Sequence, residues 1–339
     1  MSRIPDAEPP PVVATPAHRH GMLTRVTRPL VLLDAASLYF RSFHALPESL
    51  TSEDGTPVNA VRGFADTVAR VLTDRCPSRL VACLDADWRP QFRVELLPSY
   101  KTHRVPTDPE NDDDSPDALA AQVPIILELL EAAGLATAEA VGYEADDVIG
   151  TLTTIESTAP VEIVTGDRDL FQLVRTQPSA ASVHYVGKGW NKADTFGPAE
   201  ISAQYGLPET TAGPAYADMA ALRGDPSDGL PGVPGIGDKT AARLISRFGS
   251  LEALLSAAEQ GSGEIPTKTR TRLCEAAEYL TVAPGVVRVV RNAPVALSKD
   301  DRVPTTVADP ERLTQLQQRW NLGGSVDRLR RAVDSDPAA

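Results

Sequence analysis

The chain has 339 residues, 42% of them hydrophobic, and a formal net charge of −13. This length supports one large globular domain or two ordinary ones, and no apolar run of about 18 residues exists that could form a transmembrane helix. Nucleic-acid-binding proteins usually carry a basic excess, which this total does not show. Fifteen of the acids, however, belong to two sets, nine carboxylates described below and six in residues 108–117, and the rest of the chain is mildly basic.

The first residues and the cysteines indicate where the protein works. Residues 1–28 are rich in Pro and lack the apolar core of a secretory signal, so we expect a disordered leader and no membrane partner. Cys76, Cys83 and Cys274 form no C-x-x-C pair and leave an odd thiol, which is typical of a reducing compartment. We therefore expect a cytoplasmic protein.

Residues 29–206 alternate between strand-like and helix-like segments. The pattern predicts strands at 29–34, 79–85, 135–140, 161–166 and 181–186, and helices at 59–74, 117–133 and 145–157. Continuous apolar strands separated by helices predict an α/β domain with a mostly parallel central sheet flanked by helices on both faces. Ligands of such sheets bind at the carboxyl ends of the strands.

Residues 207–339 show a different pattern, with short helices and Gly-Pro turns in place of strands. We expect a helical subdomain here, followed by terminal helices within 309–333. The apolar, β-branched run at 282–290 predicts one further strand.

Acidic side chains follow several of the predicted strands. Asp34, Asp85 and Asp167 each end an apolar strand, so their carboxylates should meet at one edge of the sheet. Helix capping accounts for some of these acids, because Asp and Glu are favoured in a first helical turn. It does not account for all of the acids that gather in this region, which also include Glu144, Asp146, Asp147, Asp169, Asp225 and Asp228.

So many carboxylates at one edge would repel one another and raise their own pKa values unless a cation were present. Oxygen ligands without His or Cys select hard ions such as Mg²⁺ or Mn²⁺. Two such ions roughly 4 Å apart can activate water and stabilise the leaving oxygen of a phosphodiester. The pattern therefore favours a two-metal phosphodiesterase.

Five colinear blocks give the chain from about 29 to 290 a family resemblance. They are LLDAASLYFRSFHAL, LDADWRPQFRVELLPSYKTHR, GYEADDVIGTL, VTGDRDLFQLV and LRGDPSDGLPGVPGIGDKTA. In this order they resemble the 5′-nuclease superfamily, the 5′→3′ exonuclease and flap endonuclease group that includes the nuclease domain of bacterial DNA polymerase I. The resemblance implies a PIN-like catalytic domain and a stand-alone nuclease that acts on flap, nicked or 5′-ended DNA in replication and repair.

The resemblance also assigns roles to individual residues. It implies a first metal cluster on Asp34, Asp85, Glu144, Asp146 and Asp147, and a second formed or supported by Asp167, Asp169, Asp225 and Asp228. Among these, Asp34, Asp147 and Asp169 would be catalytic. Residues 88–120 would form an arch over the site, in which Lys101 and Arg104 grip the scissile phosphate. Further substrate contacts are implied for Arg41, Arg93 and Tyr100, with the Tyr100 ring stacking on a base.

The Gly-rich run GVPGIGDKTA resembles a helix-three-turn-helix that holds the duplex backbone, with Lys239, Arg243 and Arg247 following it. By analogy this turn would hold K⁺. As a nucleotide loop the run fails, because Asp238 separates Gly237 from Lys239, and no nucleotide cofactor is expected. A Gly-rich turn that opens a helix still presents backbone N–H groups to a phosphate.

Two departures from the family pattern stand out. Gly229 occupies a position where the family usually has Asn, and residues 105–117 are longer and more acidic than the usual arch connection. Three other hypotheses are a paralogue that binds branched DNA but cleaves weakly, a PIN-type ribonuclease, and an acidic scaffold protein. The complete set of nine carboxylates, the arch and the helical motif favour the DNA nuclease, acting as a monomer.

Overall fold

The computed structural model describes residues 27–104 and 116–335. The predicted leader, apart from residues 27 and 28, lies outside the described residues, as does most of the acidic arch segment, residues 105–115. None of the helices in the described part of the chain is both long and apolar enough to cross a lipid bilayer.

One mixed sheet forms the centre of the molecule, and its strands follow the order β6-β5-β4-β1-β2-β3-β7. The five inner strands pair in parallel, and the two edge strands, β6 and β7, are antiparallel to their neighbours. The predicted mostly parallel sheet is thereby confirmed. The strands are β1 (Leu30–Asp34), β2 (Arg79–Cys83), β3 (Ala136–Glu139), β4 (Val161–Thr165), β5 (Ala181–Tyr185), β6 (Asp194–Phe196) and β7 (Ala296–Leu297).

Helices cover both faces of this sheet, and each face has its own apolar core. One core packs under α1, α2, α5, α13 and α14, and the other under the helices α6 to α12. The helices are α1 (Ala35–Ala45), α2 (Asn59–Arg75), α3 (Gln91–Leu96), α4 (Pro116–Ala120), α5 (Val123–Ala133), α6 (Ala145–Ile155), α7 (Pro198–Tyr205), α8 (Ala212–Arg223), α9 (Asp238–Phe248), α10 (Leu251–Glu259), α11 (Thr267–Glu275), α12 (Ala277–Val287), α13 (Pro310–Arg319) and α14 (Gly324–Asp334).

The expected strand at 282–290 is wrong. Residues 277–287 form α12, in which Leu280, Ala283 and Val286 are buried at three-residue spacing. The helical period of these buried side chains outweighs the β-branched composition of the run. The last strand of the sheet is instead β7, and the helices after it, α13 and α14, return to pack on α5 and α2.

The order in which the chain connects the central strands indicates where a ligand site should lie. From β1 the chain passes to β2 on one side and later to β4 on the other, so the carboxyl ends of β4, β1 and β2 are neighbours. Ligand sites of open α/β sheets lie at such a reversal of strand order.

Candidate active site

Three carboxylates lie at the carboxyl ends of these neighbouring strands. Asp34 is the last residue of β1 and also caps α1, accepting a hydrogen bond from Ser37 N at 3.1 Å. Its second oxygen accepts from Thr165 Oγ1, at 2.6 Å, at the end of β4. Asp167 and Asp85 each follow their strand by two residues. The predicted convergence of strand-end carboxylates is therefore present.

The amino terminus of α6 brings the acidic block Glu144–Asp147 to the same edge. Glu144 and Asp147 form a reciprocal capping box, which fixes the first turn of the helix. Ala145 N donates to Asp85 Oδ1 at 2.7 Å and so joins this turn to the end of β2. Helix capping and site formation thus use the same side chains.

A turn of the helical subdomain supplies the remaining acids. Asp225 caps the short helical turn Pro226–Asp228, accepting from Ser227 N at 2.8 Å. One small pocket is lined by acids of both predicted sets, Glu144 and Asp146 from the first, and Asp169, Asp225 and Asp228 from the second. The site is therefore shared between the sheet domain and the helical subdomain.

Basic side chains of residues 93–104, within the predicted arch, pair with several of these acids. Arg93 contacts Glu144 and Asp147, each at 2.7 Å. Lys101 Nζ pairs with Glu144, and Arg104 Nη2 lies 2.5 Å from Asp228 Oδ1. Burial favours a neutral Lys101, but the carboxylates of Glu144 and Asp228 outweigh it and raise the pKa of this amine. Lys101 therefore stays cationic.

For other carboxylates of the site, burial outweighs any nearby positive charge. Burial raises the pKa of Asp34 to about 7, and the nearby Asp167 and Asp85 add to the rise. Burial likewise raises the pKa of Asp146 well above its usual range, with further contributions from Asp167 and Asp34. For Asp169, burial and then Asp167 raise the pKa well above its usual range. The positive charge near these three carboxylates is too small to offset their burial and mutual repulsion.

The donor set fits hard divalent cations in its chemistry, since it contains only carboxylate oxygens. Within residues 27–104 and 116–335, no three acidic, His or Cys side chains are grouped closely enough to enclose an ion as they stand. Ion pairs explain part of this, because Glu144, Asp147 and Asp228 contact Arg93, Lys101 and Arg104.

Two of the predicted substrate contacts are not available in this arrangement. Arg93 is 2% exposed and Tyr100 is 4% exposed, so neither presents a surface to DNA. The Tyr100 hydroxyl donates to Glu144 Oε2 at 2.8 Å, and Arg93 also donates to Val286 O at 3.0 Å. Charge and aromaticity suggested contacts with phosphates and bases, but both side chains instead hold Glu144 and the start of α6.

The other predicted contacts are accessible. Arg41 lies on α1 beside the Asp167 turn and donates to Gly187 O at 2.7 Å. Lys239, Arg243 and Arg247 are exposed at four-residue spacing on one face of α9, which starts directly after the Gly-rich turn. These three cations form one continuous basic stripe, which we call the α9 stripe.

Sequence reasoning missed Arg223, which ends α8 and lines the pocket. Its guanidinium lies 4.0 Å from Asp225 Oδ2 and 3.4 Å from Asp238 Oδ1 at the start of α9. It thus connects the acidic turn with the helix that carries the α9 stripe. The available signal was its place immediately before Gly224 and Asp225 in the block LRGDPSD.

Comparisons with known proteins agree with this geometry. Residues 29–206 match the family described as 5′-3′ exonuclease, N-terminal resolvase-like domain, and residues 212–311 match its C-terminal SAM fold. A 5′-3′ exonuclease of Mycobacterium tuberculosis (strain ATCC 25618 / H37Rv) is 53% identical over 314 residues, which cover 91% of this chain and 99% of that protein.

Solved structures show the same fold at low sequence identity. The T5 5′-exonuclease with bound divalent metal ions (zinc) has a TM-score of 0.61 at 17% identity, covering 90% of this chain and 98% of that one. A T5 flap endonuclease complex with DNA and metal ions has a TM-score of 0.58 at 16% identity, covering 91% and 100%. The two family models, together with the Mycobacterium tuberculosis relative that aligns over nearly its whole length, show that this chain belongs to the 5′-3′ exonuclease family.

Proposed function

We propose that this chain is a divalent-metal-dependent, structure-selective 5′ nuclease that hydrolyses phosphodiester bonds of DNA at flaps, nicks and free 5′ ends. The proposal rests on the pocket in which Glu144 and Asp146 at the start of α6, Asp169 after β4, and Asp225 and Asp228 of the helical subdomain meet. Lys101 and Arg104 pair with two of these acids. The relative that is 53% identical is named a 5′-3′ exonuclease, and a T5 neighbour was solved with DNA and metal ions.

The nine predicted carboxylates hold two Mg²⁺ or Mn²⁺ ions in this proposal. The first set comprises Asp34, Asp85, Glu144, Asp146 and Asp147, and the second comprises Asp167, Asp169, Asp225 and Asp228. The ions supply activation of water and stabilisation of charge on the reacting phosphate. The raised pKa values of Asp34, Asp146 and Asp169 support this assignment, since an added cation relieves the repulsion that contributes to them.

The chain's own cations bind and orient the DNA. Lys101 and Arg104 pair with carboxylates at the pocket and are within reach of a phosphate that enters it. There they stabilise the negative charge that develops on the phosphoryl oxygens. Arg93 acts indirectly and does not contact the DNA, because it is buried and fixes the orientation of Glu144 and Asp147. Arg41 contributes a phosphate contact beside the β4 turn.

Duplex DNA lies along the α9 stripe in this proposal. Helix α9 has no side-chain cap, and its amino terminus together with the preceding turn offers backbone N–H groups to a phosphate. Lys239, Arg243 and Arg247 add charge without reading sequence. The K⁺ expected from the family resemblance belongs to the same turn. We also propose that the protein acts as a monomer in the cytoplasm, where its three free thiols stay reduced.

One experiment tests the function. The protein is incubated with 5′-labelled flap, nicked, single-stranded and RNA-containing duplexes in Mg²⁺, Mn²⁺ or EDTA. We expect release of the 5′ strand from flap and nicked DNA with either metal and none in EDTA. Tight binding without cleavage would favour the weakly catalytic paralogue, and preferential cleavage of RNA would favour a PIN-type ribonuclease.

A further inference from the structure

The segment that carries Lys101 is joined to the acidic turn of the helical subdomain. Lys101 N donates to Asp228 O at 3.0 Å, and Ser99 Oγ donates to Gly229 O at 2.8 Å. Arg104 adds a hydrogen bond of 3.0 Å to Ser227 O. These contacts join segments that are more than 120 residues apart in the sequence, and they connect the arch directly to the second set of acids.

The approach is close enough to require glycine at position 229. Gly229 has φ of +75°, and a Cβ placed there would lie 2.0 Å from the carbonyl oxygen of Ser99 and 2.8 Å from its carbonyl carbon. Both of these atoms belong to the backbone and cannot move as a flexible side chain would. Any side chain at 229 would therefore push the Ser99–Lys101 segment away from the turn.

The contact holds Lys101 in an uncommon conformation. Lys101 has φ of +48°, a left-handed value that a residue with a Cβ rarely adopts without surrounding constraints. From this backbone the amine pairs with Glu144 and reaches Trp88 O at 3.4 Å, and the side chain is only 13% exposed. A free lysine side chain has many rotamers, so a fixed backbone reduces what must be ordered at the reacting phosphate.

We propose that Ser99 and Gly229 are positioning residues for Lys101, which act by docking the arch on the acidic turn. The proposal rests on the proposed nuclease function. The docked segment places one cation between Glu144, which caps α6, and the turn that carries Asp228, so both halves of the site determine where the amine lies. Loss of docking leaves the charge on the chain but no longer directs it at the phosphate.

The decisive variant is Gly229→Ala, compared with Gly206→Ala. Gly206 has φ of +73°, and a Cβ there meets no atom within 4 Å, so its substitution introduces the same left-handed strain without a steric clash. We expect Gly229→Ala to slow single-turnover cleavage of a 5′-flap substrate by about 30-fold or more. Its affinity for that substrate should change less than about threefold, and Gly206→Ala should stay near the wild type in both measurements.

A second readout does not depend on activity. Trypsin should cut the bond after Lys101 at least about fivefold faster in metal-free, DNA-free Gly229→Ala than in the wild type or Gly206→Ala, because the docked segment is released. Ser99→Ala removes one hydrogen bond without the clash and should show smaller effects in the same directions. It also provides the test if Gly229→Ala does not fold.

Wild-type single-turnover rates in Gly229→Ala, or equal losses in Gly206→Ala, would overturn the positioning role. So would wild-type trypsin sensitivity in both Gly229→Ala and Ser99→Ala. If the wild-type protein cleaves none of the DNA substrates, the proposed function fails, whereas the trypsin comparison still decides whether Ser99 and Gly229 dock the arch.

Discussion

Arg93 and Asp147 form a bidentate ion pair in the protein interior. Nη1 and Nη2 of Arg93 each lie 2.7 Å from an oxygen of Asp147, and neither side chain is more than 2% exposed. Asp147 Oδ1 also accepts from Val290 N at 2.7 Å. The predicted metal ligand Asp147 therefore has a buried ion-pair partner, whereas for its neighbour Asp146 burial and the nearby carboxylates outweigh the charge of Lys101 and raise the pKa.

Asp147→Asn should destabilise the metal-free protein. The substitution turns one anionic oxygen into an N–H donor that faces the buried guanidinium. Because Glu144 remains as a second partner of Arg93, the cost should lie at the lower end of the range for a broken buried ion pair, about 3 kcal/mol. We expect a free energy of unfolding lower by roughly that amount in urea with EDTA, together with loss of DNA cleavage in Mg²⁺. An unchanged urea midpoint would show that the pair contributes nothing to stability.

Asp146→Asn should have the opposite effect, and the effect should depend on pH. Burial, followed by Asp167 and Asp34, raises the pKa of Asp146 in the folded protein, so folding favours its protonated form. The stability of the wild type therefore falls as pH rises from about 4 through the folded-state pKa. In EDTA we expect Asp146→Asn to raise the urea midpoint at pH 8 and to change it little at pH 4. Equal effects at both pH values would contradict the assignment.

The sequence predicted the centre of the sheet well, because β1, β2 and β4 are mostly apolar runs that end in Asp or are followed by Asp two residues later. Strand position alone predicts Asp34, Asp85 and Asp167 as site residues, and the order of the strands brings them together. Edge strands carry weaker signals. β7 has only two residues, both exposed, and no pattern of burial marks it in the sequence.

The state of individual charges was less predictable. The sequence of a basic run such as residues 89–104 does not distinguish side chains that face solvent from side chains that pair with carboxylates. Arg93 is buried because Glu144 and Asp147, about 50 residues later, offer it two carboxylates. This tertiary pairing, and the contact of Gly229 with Ser99, depend on packing between segments that no local pattern describes.

Glu156 should stabilise the protein against acid. Burial tends to raise the pKa of Glu156, but hydrogen bonds from Thr158 and Ala159 and the pairing with Arg79 outweigh it and lower the pKa from 4.5 to about 2. The stabilisation is present above pH 4.5 and is lost as pH falls from about 4.5 to about 2. We expect Glu156→Gln to lower the free energy of unfolding at pH 7 by up to about 2 kcal/mol, allowing for the partly exposed Arg79.

The difference between Glu156→Gln and the wild type should shrink steadily as urea unfolding is measured at pH 5, 4 and 3. Glu275→Gln, at an exposed position, serves as the control and should follow the wild type at each pH. A difference that stays constant down to pH 3 would mean that Glu156 acts through packing and not through its charge.

The α9 stripe should contribute non-specific affinity for duplex DNA. Replacing Lys239, Arg243 and Arg247 together by Ala should reduce the slope of log K against log salt by about one for each phosphate that the protein no longer neutralises. Cleavage at saturating DNA should persist. A charge-matched control replaces Lys192, Arg330 and Arg331, which are exposed on other elements than α9. An equal change of slope in the control would show a diffuse charge effect instead of a defined interface.

Lys101 and Arg104 should act on turnover more than on binding. Both cations lie at the pocket, where they contact Glu144 and Asp228, and a preorganised charge helps most as negative charge develops on the phosphoryl oxygens. We expect Lys101→Ala or Arg104→Ala to slow single-turnover cleavage by about 100- to 1,000-fold, with a much smaller change in affinity for the flap substrate. The measurement uses enzyme in excess over a 5′-labelled flap, with Lys268→Ala on α11 as an exposed control. Wild-type rates in both variants would mean that the arch supplies no catalytic cation at these positions, and that pairing with Glu144 and Asp228 is their whole role.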